Sequence, residues 1–265
     1  MRKKIFLFLF VLSIAFIMLS EKTFANQRLP ILLYHHLLPE ADIADNESVL
    51  DNGMVISQEL FASHMEYLYT NGYHTITSSE LRAFLYEGKE LPPNSVMITF
   101  DDGYLSNYLF AYPILKQYDF NAIVFTITGF MQTRDQEFRP TRTDMLSWMQ
   151  IAASLDVFEF ASHTHLLHTL NNGVSGFVSA TIDEARADLI LSQRRVQNRR
   201  LFSFPYGQYN TQLVNMIRFN GVDLAFTVNR GYVTQNSNPL LLNRFTIYSN
   251  TSLSNFQRIV RGNYR

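Results

Sequence analysis

Val96-Met97-Ile98-Thr99-Phe100-Asp101-Asp102-Gly103-Tyr104 is an apolar and β-branched run that stops abruptly at two carboxylates and a glycine. Preceded by Pro92-Pro93-Asn94-Ser95, it has the length and punctuation of a buried parallel strand, with Asp101 and Asp102 at its C-terminal end. Taken alone, Asp-Asp-Gly most often marks only a turn. Two neighbouring carboxylates, however, raise one pKa of the pair unless a cation or donor intervenes, and a metal ion would relieve that repulsion. Which reading holds depends on what the rest of the chain brings to the same place.

Outward from this strand the chain alternates strand and helix. Upstream, Pro30-Ile31-Leu32-Leu33-Tyr34 reads as a strand ending in His35-His36, followed by a polar loop from Pro39 to Met54. Ser57 opens a helix with Phe61, Met65 and Leu68 on one face, and Asn71-Gly72 stops it. Thr75-Ile76 is a brief strand, and Thr77 with Glu80 has the spacing of a capping box. Downstream, Tyr104 to Tyr118 predicts a helix kinked at Pro113, and Ala122 to Ile127 a buried strand. A helix containing Met145, Trp148 and Ile151 leads to the strand Val157 to Ala161, which runs into Ser162-His163-Thr164-His165-Leu166-Leu167-His168. A second capping box, Thr181 with Glu184, opens a helix predicted to reach Arg200. Leu201 to Phe204, Leu224 to Val228 and Leu241 to Tyr248 read as the remaining strands, with a last helix from Ser252 to Val260.

Short β-α units without a long linker predict a parallel sheet in a single α/β domain. In such folds the chemistry gathers at the C-terminal ends of the strands. His35 follows the first strand, Asp101-Asp102 the third, His163 the fifth and Pro205-Tyr206-Gly207 the sixth, so one rim of a closed or nearly closed barrel would collect them.

His64 and His74 are isolated and read as structural or surface residues. His163, His165 and His168 lie within six residues just after a buried strand, which is metal-ligand density. On a regular helix i and i+5 are rotated apart, so His163 and His168 could converge only across a turn or loop. With Asp102 they would supply two nitrogens and one oxygen, a three-ligand set that leaves a position open for water, as hydrolytic zinc requires.

Composition sets the remaining bounds. The 265 residues are 47% hydrophobic with net charge −1, an ordinary globular balance that offers nothing to a nucleic acid. Met1-Arg2-Lys3-Lys4, the apolar stretch Ile5 to Leu19 and the small-residue site ending at Ala25 predict a signal peptide over residues 1–25, or else an uncleaved anchor. Removing it leaves 18 basic and 22 acidic side chains, so residues 26–265 form a mildly acidic exported domain. The absence of cysteine excludes disulfides, thiolate zinc sites and a cysteine nucleophile, and no Gly-x-Ser-x-Gly elbow marks a serine hydrolase. With 22 Phe and 14 Tyr the chain is rich in rings, most of which must be buried while some could face a sugar.

Thr99-Phe100-Asp101-Asp102-Gly103, Ser162-His163-Thr164 with His168, and Phe204-Pro205-Tyr206-Gly207 together resemble the successive motifs of the polysaccharide deacetylases, carbohydrate esterase family four. The resemblance implies a distorted (β/α)7 barrel and metal-dependent removal of acetyl groups from N-acetylglucosamine units. Zinc is the expected ion, with cobalt or nickel as alternatives. It implies Asp101 as general base, Asp102, His163 and His168 as metal ligands, and Pro205-Tyr206 as an oxyanion and substrate-binding motif that uses the peptide N–H of Tyr206. The His163 to His168 spacing is one longer than in many members and resembles the branch acting on poly-β-1,6-N-acetylglucosamine. In that branch the general acid comes from an N-terminal Tyr-His motif, which Tyr34-His35 resembles; His35 is therefore the expected acid and His36 its rival. The family's usual arginine before Pro-Tyr-Gly is replaced by Leu201-Phe202-Ser203, and Arg244 is named as the residue that orients Asp101. The expected setting is extracytoplasmic, at the membrane or cell wall, as a monomer acting on a polysaccharide. Peptidoglycan or chitin oligomers are the alternative substrates, and a non-catalytic glycan-binding barrel is the alternative of a different class.

Overall fold

Eight of the apolar runs become the strands of one sheet in the computed structural model, which describes residues 27–45 and 53–264. The segment expected to be a signal or anchor lies outside the described residues. The sheet strands are β1 (Ile31–Tyr34), β2 (His74–Thr75), β3 (Ser95–Phe100), β4 (Ala122–Thr126), β5 (Phe158–Ser162), β6 (Asn198–Ser203), β7 (Leu224–Phe226) and β8 (Phe245–Thr246). Their hydrogen-bonded order is β7-β6-β5-β4-β3-β1-β8, with β2 beside the first residues of β3, and every pairing is parallel. A parallel bridge between Phe226 and Leu242 ties the β7 edge to the segment entering β8. The sheet thus curls into the distorted (β/α)7 barrel of a single domain.

The two-residue period of the strands decides what each face carries. Ile31, Met97, Ile123, Phe125, Ala161, Leu201, Leu224 and Phe226 form one buried cluster that fills the barrel. Their neighbours Leu32, Ile98, Phe100, Val124 and Phe160 face the other way, in a second cluster with helix residues such as Phe61, Met65, Leu68 and Phe256. Continuing the inward parity to the last residue of β6 and just past the ends of β1, β3 and β5 gives Ser203, His35, Asp101 and His163. The motif residues therefore point over the barrel mouth because they keep step with the core.

Local signals place the helices. Ser57 caps Gln58–Thr70, and reciprocal capping boxes form at Thr77/Glu80 and Thr181/Glu184 as the spacing predicts. A third capping box, Ser147 with Gln150, starts Trp148–Ala153 and leaves Met145 outside that helix.

Four further expectations are corrected. The helix from Thr181 ends at Gln193, and Asn198, Arg199 and Arg200 enter β6. There Arg200 reaches Asp223, whose N–H donates to the Arg200 carbonyl, so pairing with the β7 segment overrides the helical preference of arginine. Within Tyr104 to Tyr118 a π-turn at Asn107–Ala111 precedes the helix Tyr112–Gln117, and Pro113 sits at the helix start, where its missing N–H costs nothing. The region from Pro39 contains a short helix, Glu40–Asp45. Of Leu241 to Tyr248 only β8 is strand; Leu242 makes an isolated bridge to Phe226, and the Arg244 guanidinium pairs with Asp101.

Candidate active site

The rim loops are bent to deliver these side chains. Asp102, Thr164 and Tyr206 adopt left-handed backbone with φ of 72°, 75° and 56°, a conformation that costs a non-glycine residue on the order of 1 kcal/mol. Gly103 at φ 82° follows Asp102, and a Cβ there would stand 2.9 Å from Thr126 Cγ2, so a side chain is barred on two counts. The turn read from Asp-Asp-Gly exists, and it points both carboxylates into the barrel mouth.

Asp101 is 2% exposed and bonded on both oxygens. Arg244 Nη1 donates to its Oδ1 at 2.8 Å and Nη2 to Oδ2 at 2.7 Å, while Ser203 Oγ donates to Oδ2 at 3.1 Å. Arg244 is itself wholly buried, and its remaining N–H groups reach the Thr227 carbonyl, Thr99 Oγ1 and Ser203 Oγ. All five guanidinium donors thus have acceptors, which a buried arginine requires. Burial by itself pushes the Asp101 carboxyl up, but the charge and hydrogen bonds of Arg244, with His163 nearby, outweigh it and hold the group well below the carboxylate range.

Asp102 is different. Its Oδ1 is buried without a hydrogen-bond partner, 3.5 Å from His163 Nε2 and 3.3 Å from His168 Nε2. One donor atom from each of Asp102, His163 and His168 lies within 4.8 Å of the others. His163 Nδ1 is 2.8 Å from the Ser203 carbonyl, so that nitrogen carries the proton and Nε2 keeps its lone pair toward Asp102. Burial lowers the His163 pKa to about 4, and neighbouring Asp101 only partly restores it, so the ring is neutral near pH 7. An orphaned carboxylate oxygen facing two imidazole nitrogens is the donor set of a zinc-type cation, and the residues fit one.

These groups sit in a cavity of about 540 Å³ that also receives His35, Tyr206, Phe130 and Tyr248. His35 Nδ1 is buried and unpartnered, and Asn107 Nδ2 holds the His35 carbonyl at 2.7 Å. His36 lines the same cavity but is pinned through Nδ1 to Ser106 Oγ at 2.7 Å and lies 4.9 Å from the Tyr104 ring. Burial takes its pKa down to about 4 despite the nearby carboxylates Asp144 and Asp102. The Tyr206 ring packs against His168 at 4.5 Å, while Pro205 is buried beneath it. His165, counted in the histidine cluster, turns away to Thr128 Oγ1 at 2.9 Å. His64 is fully buried on Phe256 and His74 is exposed at the far end of the sheet.

Three contributors were not singled out from the sequence. Ser203 bridges Asp101 and Arg244, the Tyr104 phenol, its pKa pushed up by burial and by the nearby Asp102 charge, lines the cavity, and Asp188 holds the loop between the two histidines. For Ser203 the inward parity of β6 is the signal that could have found it.

The polysaccharide deacetylase family profile matches residues 88–225. A Bacillus subtilis protein, YxkH, named as a candidate polysaccharide deacetylase, is 28% identical over 89% of this chain and 77% of its own. A Staphylococcus aureus poly-beta-1,6-N-acetyl-D-glucosamine N-deacetylase is 30% identical over 72% of this chain and 67% of its own. The solved Streptococcus pyogenes deacetylase PplD superposes with a TM-score of 0.75 at 23% identity, covering 88% of this chain and 98% of that one. With the three motifs gathered at one rim and a profile spanning more than half its length, the chain belongs to the polysaccharide deacetylase family.

Proposed function

We propose that this deacetylase removes N-acetyl groups from poly-β-1,6-N-acetylglucosamine with a divalent metal held by Asp102, His163 and His168. The observation that carries the reading is the contrast within one cavity between a saturated, ionised Asp101 and an Asp102 whose free oxygen faces two imidazoles. The polymer is suggested by the staphylococcal relative and by the His163 to His168 spacing.

When bound, the ion, with zinc expected, supplies Lewis-acid polarisation of the acetamide carbonyl and acidification of the attacking water. Asp101 takes the proton released as water adds to the carbonyl carbon. Arg244 fixes the orientation of that base and keeps it charged, at the expense of basicity. The peptide N–H of Tyr206 donates to the oxygen that gains negative charge. His35 gives a proton to the departing nitrogen, so acetate and a free sugar amine result. Both rings keep one buried nitrogen without a partner, but the inward parity of His35 favours it over His36, whose Nδ1 is tied to Ser106. Phe130 and Tyr248, about 40% exposed and both lining the cavity, offer flat apolar faces to neighbouring sugar rings. The leader-like residues 1–25 support export, with the domain acting outside the cytoplasm.

The test is acetate release from poly-β-1,6-N-acetylglucosamine, peptidoglycan and chitin oligomers, each with a chelator and again after zinc is restored. Preference for the β-1,6 polymer, abolished by chelator and recovered with zinc, is expected. Faster release from peptidoglycan or chitin would overturn the substrate, and full activity in chelator would overturn the metal.

A further inference from the structure

We infer that Asp188 is a positioning residue that holds His168 in register with His163 and thereby sets the affinity of the metal centre. The inference rests on the ligand assignment proposed above. A five-residue spacing does not bring two side chains to one point on any regular helix, and the segment joining these histidines is irregular. Something outside the segment must give it its shape.

Helix Ile182–Gln193 does so with one face. Asp188 is 6% exposed, and its carboxylate accepts three successive peptide N–H groups: His165 at 2.7 Å, Leu166 at 2.7 Å and Leu167 at 3.1 Å. One turn on, Ser192 Oγ donates to the Thr164 carbonyl at 3.1 Å and receives Ser162 Oγ at 2.7 Å. The opposite side of the loop is closed by the strand-end segment after β4, where Thr128 N–H donates to the Thr164 carbonyl and Gly129 N–H to the His165 carbonyl. A Cβ on Gly129 would stand 2.4 Å from that carbonyl oxygen, so the approach admits only glycine. Four consecutive residues between the two histidines are therefore held by named partners, and three of them share one carboxylate.

The chemistry favours aspartate at this position. Three N–H donors converging on two oxygens need an acceptor-only group, and asparagine offers one acceptor and turns two donors toward the loop. Asp188 touches neither metal donors nor substrate. Its influence passes through the backbone to His168, whose strand-borne partner His163 is fixed independently by Ser203.

The experiment compares Asp188→Asn and Ser192→Ala with the wild-type enzyme. It reads zinc affinity by chelator competition, thermal unfolding of the metal-free proteins, and kcat at limiting and saturating zinc. Partners beyond the ligands themselves typically alter metal affinity about 10- to 100-fold. Asp188→Asn is expected to bind zinc at least ~10-fold more weakly and to recover most of its kcat at saturating zinc, because every reacting group is still present. Ser192→Ala, which removes the hydrogen bonds to Thr164 and Ser162 but leaves the Asp188 carboxylate in place, is expected to lose a few-fold and gives the readout if Asp188→Asn does not fold. Wild-type zinc affinity in the folded variants would overturn the inference, as would a loss of kcat that excess zinc leaves unchanged. A wild-type enzyme that binds no zinc would instead overturn the ligand assignment beneath it.

Discussion

Asp101 and Asp102 are joined by one peptide bond and occupy opposite electrostatic situations. Asp101 has a bidentate arginine and a serine hydroxyl on its two oxygens, all buried. Asp102 keeps one buried oxygen bare, toward two imidazole nitrogens. Like charges at this separation cannot both be left without support. The chain gives Asp101 an internal cation, and under the proposed assignment Asp102 takes an external one. Adjacent carboxylates with separated environments are how a site assigns two roles to one residue type.

The comparison can be broken most severely at Arg244. Arg244→Met leaves Asp101 buried and unpaired, and removing one partner of a buried pair costs about 3–5 kcal/mol. Chemical denaturation should register that loss, and acetate release should fall with it. Wild-type stability would mean the pair is not what holds the barrel mouth together.

A smaller effect marks a buried histidine outside the site. His64 is stacked on Phe256 at 3.9 Å and lies 3.2 Å from the Tyr34 hydroxyl, and burial lowers its pKa to about 3. A histidine whose folded pKa is depressed stays neutral while the unfolded chain takes up protons below pH ~6.5, so acid favours unfolding. From about pH 6.5 down toward pH 3, His64 should remove about 1.4 kcal/mol of stability per pH unit. Denaturation of His64→Phe across that window should show a slope shallower by that amount; parallel slopes would refute the assignment. Metal is not involved, so this titration separates core electrostatics from those of the site.

Smallest is Ser203→Ala. It removes one hydroxyl from a carboxylate that keeps both arginine bonds, so about 1 kcal/mol of stability should be lost and zinc affinity should hold. Loss of zinc in this variant would show that the supports of Asp101 and the donors of Asp102 are not separable.

What the sequence revealed follows the range of the forces. Apolar runs, capping boxes and strand-end polar groups are local, and they were legible, as was the meeting of Asp101, Asp102, His163 and His168 at one rim. Arg244 was reachable only because Asp101 lacked a counter-charge; the two lie 143 residues apart and meet because β8 pairs with β1, which pairs with β3. Asp188 was invisible because an acid in a helix rich in charge looks solvated until the fold places three N–H groups against it. The premature end of its helix at Gln193 and the π-turn at Asn107–Ala111 were likewise tertiary outcomes, set by the pairing of β6 and by Asn107 reaching the His35 carbonyl.

The division of labour between the two aspartates is tested most directly by measuring bound zinc and acetate release together in Asp101→Asn and Asp102→Asn. Asp101→Asn should retain wild-type zinc while its rate falls by about 10²–10⁴-fold, the contribution of a positioned general base. Asp102→Asn should lose zinc and activity together. An Asp101→Asn enzyme that works at the wild-type rate, or an Asp102→Asn protein that keeps its zinc, would contradict the assignment.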